Sequence, residues 1–416
     1  MSTESSAWPV RTITDADWEA FRDVDSHAFG TTMPDGLEES ERALMEPGRG
    51  IGAFDGAELA GIGTAYSYQI GVPGGTMPAA AVSWVGVLPT YRRRGVLTAL
   101  MTHQLHDVHD QGREPIAILW ASEPQIYGRF GYGLATRSCS VSVPRDPRAL
   151  HPTVPTDPQL RLRLADATDW KAFAGVYEDV AARRPGLPAR DERWWGRAVR
   201  DIPELRGGNS ALRCILAEDA SGVRGYALYQ TKQHFDENFG SGEVSVREVM
   251  AVDSPALAGI YRYLFDLDLM GRTTVPRLPV DDPLLHWLQN PRRANPVLGD
   301  GLYVRLVDLV RALVSRSYAA DLDVVLDVTD RHCPWNAGTW RLAVTAGDQA
   351  SRTCERTDRA AELALDVTDL GAAFLGGTTL TELELAGRVR EDRPGAAAEA
   401  SAAFAHFPAP WCPAIF

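Results

Sequence analysis

Residues 80–96 read Ala80-Ala81-Val82-Ser83-Trp84-Val85-Gly86-Val87-Leu88-Pro89-Thr90-Tyr91-Arg92-Arg93-Arg94-Gly95-Val96. The run from Ala80 to Leu88 is apolar apart from Ser83, which reads as a buried strand. Beyond Gly95, residues Leu97, Leu100, Met101, Gln104, Leu105 and Val108 share one stripe at helical spacing. The stretch is therefore a strand, a basic glycine-containing turn and a helix N-terminus. Such a turn presents unpaired backbone N–H groups and the positive end of a helix dipole, and three arginines add to that field. A pyrophosphate suits that chemistry. No GxxxxGK[ST] and no GxGxxG is present, which excludes a P-loop and a Rossmann fingerprint. Spacing alone also admits a surface loop with three solvated arginines.

Outward from this stretch the chain repeats itself. Val10-Arg11-Thr12-Ile13-Thr14-Asp15-Ala16-Asp17-Trp18 is echoed by Leu162-Arg163-Leu164-Ala165-Asp166-Ala167-Thr168-Asp169-Trp170. Each reads as a short strand, a polar capping cluster and an amphipathic helix. Ile51 to Gly61 and Ile215 to Gly225 each read as strand, acidic turn, strand. Two matches in the same order predict two copies of one α/β unit. Prolines crowd between Pro144 and Pro158, and a second join falls near Pro291 to Gly301. The expected domains are 1–150, 151–295 and 296–416, with a smaller α+β domain last. In that domain Leu363, Leu365 and Val367 alternate as a strand. Gly371 to Leu380 resembles a helix ending at Gly376-Gly377, followed by a further strand, and the Ala-rich segment Glu391 to Ser401 reads as helix. The apolar end, Phe404 to Phe416, is expected to dock.

Composition narrows the partners. In 416 residues, 42 Lys+Arg stand against 55 Asp+Glu, a formal net charge of −13. The chain gains little from phosphate backbones or anionic lipid, so neither nucleic acid nor membrane is an expected partner, and cationic partners are favoured. Met1 to Pro9 has no apolar signal core and no run spans a bilayer, which predicts a cytoplasmic protein. Five scattered cysteines form no CxxC pair, and His103, His106 and His109 fan around a helix, so no metal is expected.

The turn resembles the phosphate loop of the GNAT N-acetyltransferases, with Leu97 where that loop carries a second glycine. Downstream stands Trp120-Ala121-Ser122-Glu123-Pro124-Gln125-Ile126-Tyr127-Gly128-Arg129-Phe130-Gly131-Tyr132-Gly133. Together with Arg92-Arg93-Arg94-Gly95, Gly301-Leu302-Tyr303-Val304-Arg305 and the ending Trp411-Cys412-Pro413-Ala414-Ile415-Phe416, it is similar to the Eis (enhanced intracellular survival) acetyltransferases of actinobacteria. That resemblance implies an α+β, mixed α/β protein. A catalytic GNAT domain comes first, a degenerate GNAT-like copy second and a sterol-carrier-like domain third. It implies acetyl-CoA as cosubstrate and a homohexamer. The second copy shows its degeneracy in Val249-Met250-Ala251-Val252-Asp253-Ser254-Pro255, which has neither arginine cluster nor glycine.

By the same resemblance, the backbone of Arg93, Arg94, Gly95, Val96, Leu97 and Thr98 holds the pyrophosphate. Val85, Gly86 and Val87 pair with the pantetheine arm, and Ala121 and Ser122 flank the thiol end. Tyr127 is the proton donor to the leaving thiolate; read by itself it is a core tyrosine beside Phe130 and Tyr132, and the motif reverses that reading. The base is the terminal carboxylate of Phe416. Its ordinary pKa of about 3.5 makes it a poor base for an ammonium. Burial against its own ring and Trp411, or a water relay, is expected to help. Glu123 is the rival base. Trp84 either lines the acceptor cleft or packs in the core, and Asp35, Glu38, Glu39 and Glu41 either rim that cleft or form a solvated face. The implied reaction is acetyl transfer to amines of cationic small molecules, aminoglycosides at more than one position. The alternatives are acetylation of protein lysines and a non-catalytic ligand carrier or scaffold.

Overall fold

The computed structural model describes residues 8–146, 148–235 and 240–416, and of Asp35 the backbone. Met1–Ala7, Pro147 and the Asp35 side chain, each part of an expectation above, lie outside the described residues. The chain forms two units. One contains the described residues up to Thr136 together with Leu302–Phe407 and Ile415–Phe416. The other contains the described residues of Arg137–Gly301 together with Pro408–Ala414.

The first unit opens with strands β1 (Val10–Thr12), β2 (Ile51–Asp55), β3 (Glu58–Val72), β4 (Gly75–Val87), β5 (Ile116–Trp120) and β6 (Gly133–Leu134). Helices α1 (Trp18–Phe29) and α2 (Asp35–Arg42) follow β1, α3 (Val96–Gln111) joins β4 to β5, and α4 (Pro124–Tyr127) follows β5. The expected stripe forms: Leu100, Met101, Gln104, Leu105 and Val108 of α3 are buried against the sheet. On the other face, Trp18, Phe21 and Val24 of α1 pack with Phe54, Leu59 and Ile62.

The second unit holds β7 (Arg137–Pro144), β8 (Arg161–Ala165), β9 (Arg213–Asp219), β10 (Gly222–Lys232), β11 (Gly242–Ala251), β12 (Met270–Pro279) and β13 (Val297–Asp300). Its helices are α5 (Ala174–Ala181), α6 (Glu192–Ala198), α7 (Ser254–Phe265) and α8 (Leu284–Trp287). The repeat seen in sequence is a repeat of topology. β8 to β11 form the antiparallel run that β1 to β4 form in the first unit, and α7 leads to a parallel strand as α3 does.

Each sheet is completed by a strand that local pattern does not assign to it. β14 (Leu302–Leu306) lies between β5 and β6, giving the order β1-β2-β3-β4-β5-β14-β6. β7 lies between β13 and β12 in the order β13-β7-β12-β11-β10-β9-β8. The chain therefore changes sheets at 136–137 and at 301–302.

The remainder of the first unit has helices α9 (Leu309–Ser315), α10 (Val367–Ala373), α11 (Leu380–Leu385) and α12 (Ala396–Phe404). Its sheet is formed by β15 (Leu322–Thr329), β16 (Gly338–Thr345), β17 (Asp348–Arg356), β18 (Leu363–Asp366) and β19 (Arg390–Glu391), in the order β17-β16-β15-β18-β19. The fully buried Arg305 of β14 pairs with Asp330 at 2.7 Å, tying the two sheets of this unit. The alternation read over 363–367 overruns its strand, because the Asp366 side chain accepts from Thr368 N–H and starts α10 there. After Gly377 comes α11, nucleated by a capping box of Thr379 and Glu382, and the expected further strand follows it as β19. The Ala-rich helix forms as α12.

Candidate active site

Parallel pairing of β4 with β5 runs only through Ala79↔Ile116, Ala80↔Ala117 and Ala81↔Ile118. Beyond it, Leu119 and Trp120 pair with Tyr303 and Leu302 of β14. β4 stays with β3 through a bulge: Ser83 faces Thr64 and Gly86 faces Ile62, with Trp84 and Val85 together opposite Gly63. Trp84 takes φ +56° there. A bulge bends its strand and increases the local twist. The result is a V-shaped gap whose β4 edge, Val82 to Val87, has no strand partner on the β5 side. Gly86 is held close to α1, since a Cβ on it would lie 3.1 Å from the Ala28 Cβ.

The basic turn lies past the end of this edge. Gly95 caps α3 with φ +90°, a left-handed conformation, and no side chain bonds the first-turn N–H groups. The first N–H groups of a helix lack intrahelical acceptors, so the N-terminus of α3 is an open anion site. The three arginines differ. Arg92 donates to the Ala28 carbonyl at 3.1 Å, and Arg94 lies 5.0 Å from the Trp8 ring and 4.7 Å from the Tyr91 ring. Arg93 is exposed, has φ +61° and forms no ion pair among the described residues.

Tyr127 is buried in a cluster with Val82, Phe130 and Tyr132, and Val85, Leu97 and Ala121 pack against that cluster. Residues named from the bulge, the helix start and the end of β5 thus belong to one cluster with the Tyr127 phenol. Burial, and secondly the charge of Glu123, push the Tyr127 hydroxyl up to about 12. Ser122 and Glu123 are exposed.

Strand alternation sends Ser83 to the face opposite Val82. Its hydroxyl donates to the terminal oxygen of Phe416 at 2.9 Å. The Phe416 ring meets Tyr68 edge-on at 5.2 Å and is buried. The ring beside the terminus is therefore that of Tyr68, whereas Trp411 packs into the core of the second unit. On the same face Trp84 packs on Phe21 at 5.7 Å and donates to the Tyr66 hydroxyl at 2.7 Å.

Two features escaped the sequence reading. Ser83 was passed over as the polar interruption of a strand. Asp25 sits on the buried stripe of α1, between Phe21, which touches Trp84, and Ala28, which backs Gly86. Helical spacing aims it at the bulge. It is 8% exposed, forms no ion pair or hydrogen bond among the described residues, and burial raises it to about 6. A lone carboxylate on an apolar helix stripe was the available signal. The acidic segment of α2 is less free than it read. Glu38 accepts from Trp18 Nε1 at 2.8 Å and from Arg22, and Glu41 is buried, while Glu39 is exposed.

Two of the three histidines of α3 pack on one tryptophan, and His103 is exposed. His109 stacks on Trp335 at 3.8 Å and His106 meets the same ring edge-on. Among the described residues no group of three His, Cys, Asp or Glu could hold a metal, and all five cysteines are free and buried. No helix among them is long and apolar enough to cross a membrane.

A split parallel pair beside an uncapped, arginine-flanked helix start defines a GNAT N-acetyltransferase. Family models described as "Acetyltransferase (GNAT) domain" match residues 9–135 and 186–306, and one described as "Sterol carrier protein domain" matches 309–413. An "Uncharacterized N-acetyltransferase" of Streptomyces avermitilis is 43% identical, covering 97% of this chain and 98% of that one. The "N-acetyltransferase Eis" of Mycobacterium tuberculosis is 33% identical over 82% of this chain and 81% of that one. The crystal structure of Eis1 from Mycobacterium abscessus superposes with a TM-score of 0.81 at 33% identity, covering 98% of this chain and all of that one. The chain is an enzyme and belongs to the Eis family of GNAT N-acetyltransferases.

Proposed function

We propose that the first GNAT copy transfers acetyl from acetyl-CoA to amines of cationic small molecules, aminoglycosides at more than one position. The observation that carries this reading is the terminal carboxylate of Phe416 hydrogen-bonded to Ser83 at the bulge of the split strand pair. Acetyl-CoA supplies its acetyl group as a thioester, from which a neutral amine displaces the thiol. The backbone N–H groups of Arg93, Arg94, Gly95, Val96, Leu97 and Thr98 bind the pyrophosphate, and the exposed Arg93 adds an unpaired charge. The unpartnered edge at Val85, Gly86 and Val87 aligns the pantetheine arm, and an N–H there polarises the acyl carbonyl. Ala121 and Ser122 flank the sulfur.

Tyr127, protonated throughout the working range, donates to the departing thiolate. Phe416 takes the proton from the amine on the opposite face of β4, so acid and base lie on opposite sides of the strand. Ser83 orients the terminal carboxylate. Asp25, buried and without a counter-ion among the described residues, attracts an ammonium group of the acceptor, and Trp84 lines that side. The site needs no metal. We place the enzyme in the cytoplasm, as a homo-oligomer and, by family, a hexamer, with neither nucleic acid nor membrane as partner.

Mass spectrometry of untagged protein with acetyl-CoA and a panel of aminoglycosides and lysine peptides tests this reading. More than one acetyl on an aminoglycoside is the expected result. Acetylated peptides alone would replace it with the protein-modifying reading. Absence of any product, with no thiol release, would favour a carrier.

A further inference from the structure

Residues 408–414 are bound within the second unit at alternate positions. The Ala409 N–H donates to Asp281 Oδ2 at 2.9 Å, and the Ala409 carbonyl accepts from Arg184 Nη1 at 2.6 Å. Arg184 and Asp281 also pair with each other at 2.6 Å. The Trp411 N–H donates to the Pro185 carbonyl at 2.8 Å. The Pro413 carbonyl accepts from Arg277 Nε at 3.1 Å. Gly186, at φ +98°, lies so close that a Cβ on it would fall 2.6 Å from the Trp411 carbonyl oxygen. Pro408, Pro410 and Pro413 restrict the segment before it docks, which lowers the entropy lost on docking.

The receiving surface has a counterpart in the first unit. α5 packs on β10 and β11 as α1 packs on β3 and β4. The Trp411 indole is buried in that layer, with Tyr177 of α5, Tyr226 of β10 and Met250 of β11. Arg277 lies on β12 beyond Thr274, where parallel pairing with β11 ends. In the first unit the same face and the same split hold Ser83, Asp25 and Phe416. In the second they hold the chain's own tail.

We propose that the second GNAT copy has exchanged acceptor binding for gripping the C-terminal tail, with Arg184, Asp281 and Arg277 as positioning residues for the Phe416 carboxylate. The proposal rests on the reading of that carboxylate as the base. Only Ala414 and Ile415 lie between Pro413 and Phe416, about 10 Å of extended chain, so pinning Pro413 leaves the carboxylate a short tether. The peptide bond from Ala414 to Ile415 carries the chain from one unit to the other.

Hydrogen exchange on the native chain reads the grip directly. The Ala409 and Trp411 amides are expected to be protected, and exchange at the rate of a free peptide overturns the proposal. Kinetics then read the consequence. Arg184→Ala and Arg277→Ala are expected to lower kcat by about 10- to 100-fold. The KM for acetyl-CoA stays unchanged, and Arg277→Lys recovers part of the loss. In a chain lacking Phe416, Arg277→Ala should cost nothing further. Full activity of both alanine variants, where removal of Phe416 abolishes transfer, overturns the grip and leaves the base standing. Full activity after removal of Phe416 overturns the base, and with it the catalytic purpose of the grip.

Discussion

Helices α3 and α7 hold equivalent places in two versions of one sheet, and their first turns differ in one respect that decides what each can bind. α3 starts at Gly95, which offers no side chain to its N–H groups. α7 starts at Asp253, whose carboxylate accepts from Ala256 N–H at 2.9 Å and pairs with Arg224. A helix start already satisfied by its own carboxylate repels phosphate. The splitting of the strands survives in both copies. β11 parts from β12 after Ser245↔Thr274 and is bulged opposite the Leu228–Tyr229 step, much as β4 is at Trp84 and Val85. The helix-covered faces of the two sheets differ again. In the second copy the buried Glu248 is taken by Arg190 at 2.6 Å and by the Tyr226 hydroxyl, whereas in the first Asp25 has no such partner among the described residues. Sheet geometry alone thus does not make a transferase. An unsatisfied helix start and an unspent carboxylate are what distinguish the first copy, the one proposed to carry the reaction, from the second.

The sharpest way to break the contrast is to give the first copy the cap of the second. Gly95→Asp places a carboxylate against the phosphate position and a side chain at φ +90°. Like charges in such a contact cost several kcal/mol. Acetyl-CoA affinity should therefore fall by about 100-fold or more, measured by titration calorimetry. Next in size is Tyr127→Phe, which keeps the packing and removes the proton. A positioned general acid contributes on the order of 100-fold, so kcat should fall by that much while the KM for acetyl-CoA holds, read by thiol release.

Asp25→Asn sharpens the acceptor side. Burial raises the native carboxyl to about 6, above its ordinary value near 4. Its contribution to folding stability is thus fully present below about pH 4 and lost as pH rises through 6. At pH 7 the asparagine variant should melt higher, by about 3 kcal/mol of stability at most. In the native enzyme acceptor KM is expected to improve between pH 5 and 7 as Asp25 ionises, and the same variant should lose that improvement. A greater stability bought with a weaker site is the usual trade at a functional carboxylate. The smallest effect belongs to the second copy. Asp253→Ala removes a helix cap, costs about 1 kcal/mol in a melting experiment and leaves acetyl transfer unchanged.

Much of this was legible in local sequence. The run from Ala80 to Val108 states its strand, turn and helix because each depends on neighbours within a few residues. The echo of Val10–Trp18 at Leu162–Trp170 exposed the duplication for the same reason. The exchange of β7 and β14 between sheets was not legible, since pairing of Leu302 with Trp120 across 182 positions leaves no local mark. The start of α10 at Val367 was hidden by an alternation that continues into it. The grip on the tail was hidden too, because Arg184, Asp281 and Arg277 meet it only after folding. Asp25 was readable in principle, as one charge on an otherwise apolar stripe.

The division of labour between the copies is tested most directly by titrating the native chain with coenzyme A in a calorimeter and counting sites. The account predicts one site per chain, absent in Gly95→Asp. Two sites per chain, or a single site that persists in Gly95→Asp, would contradict it.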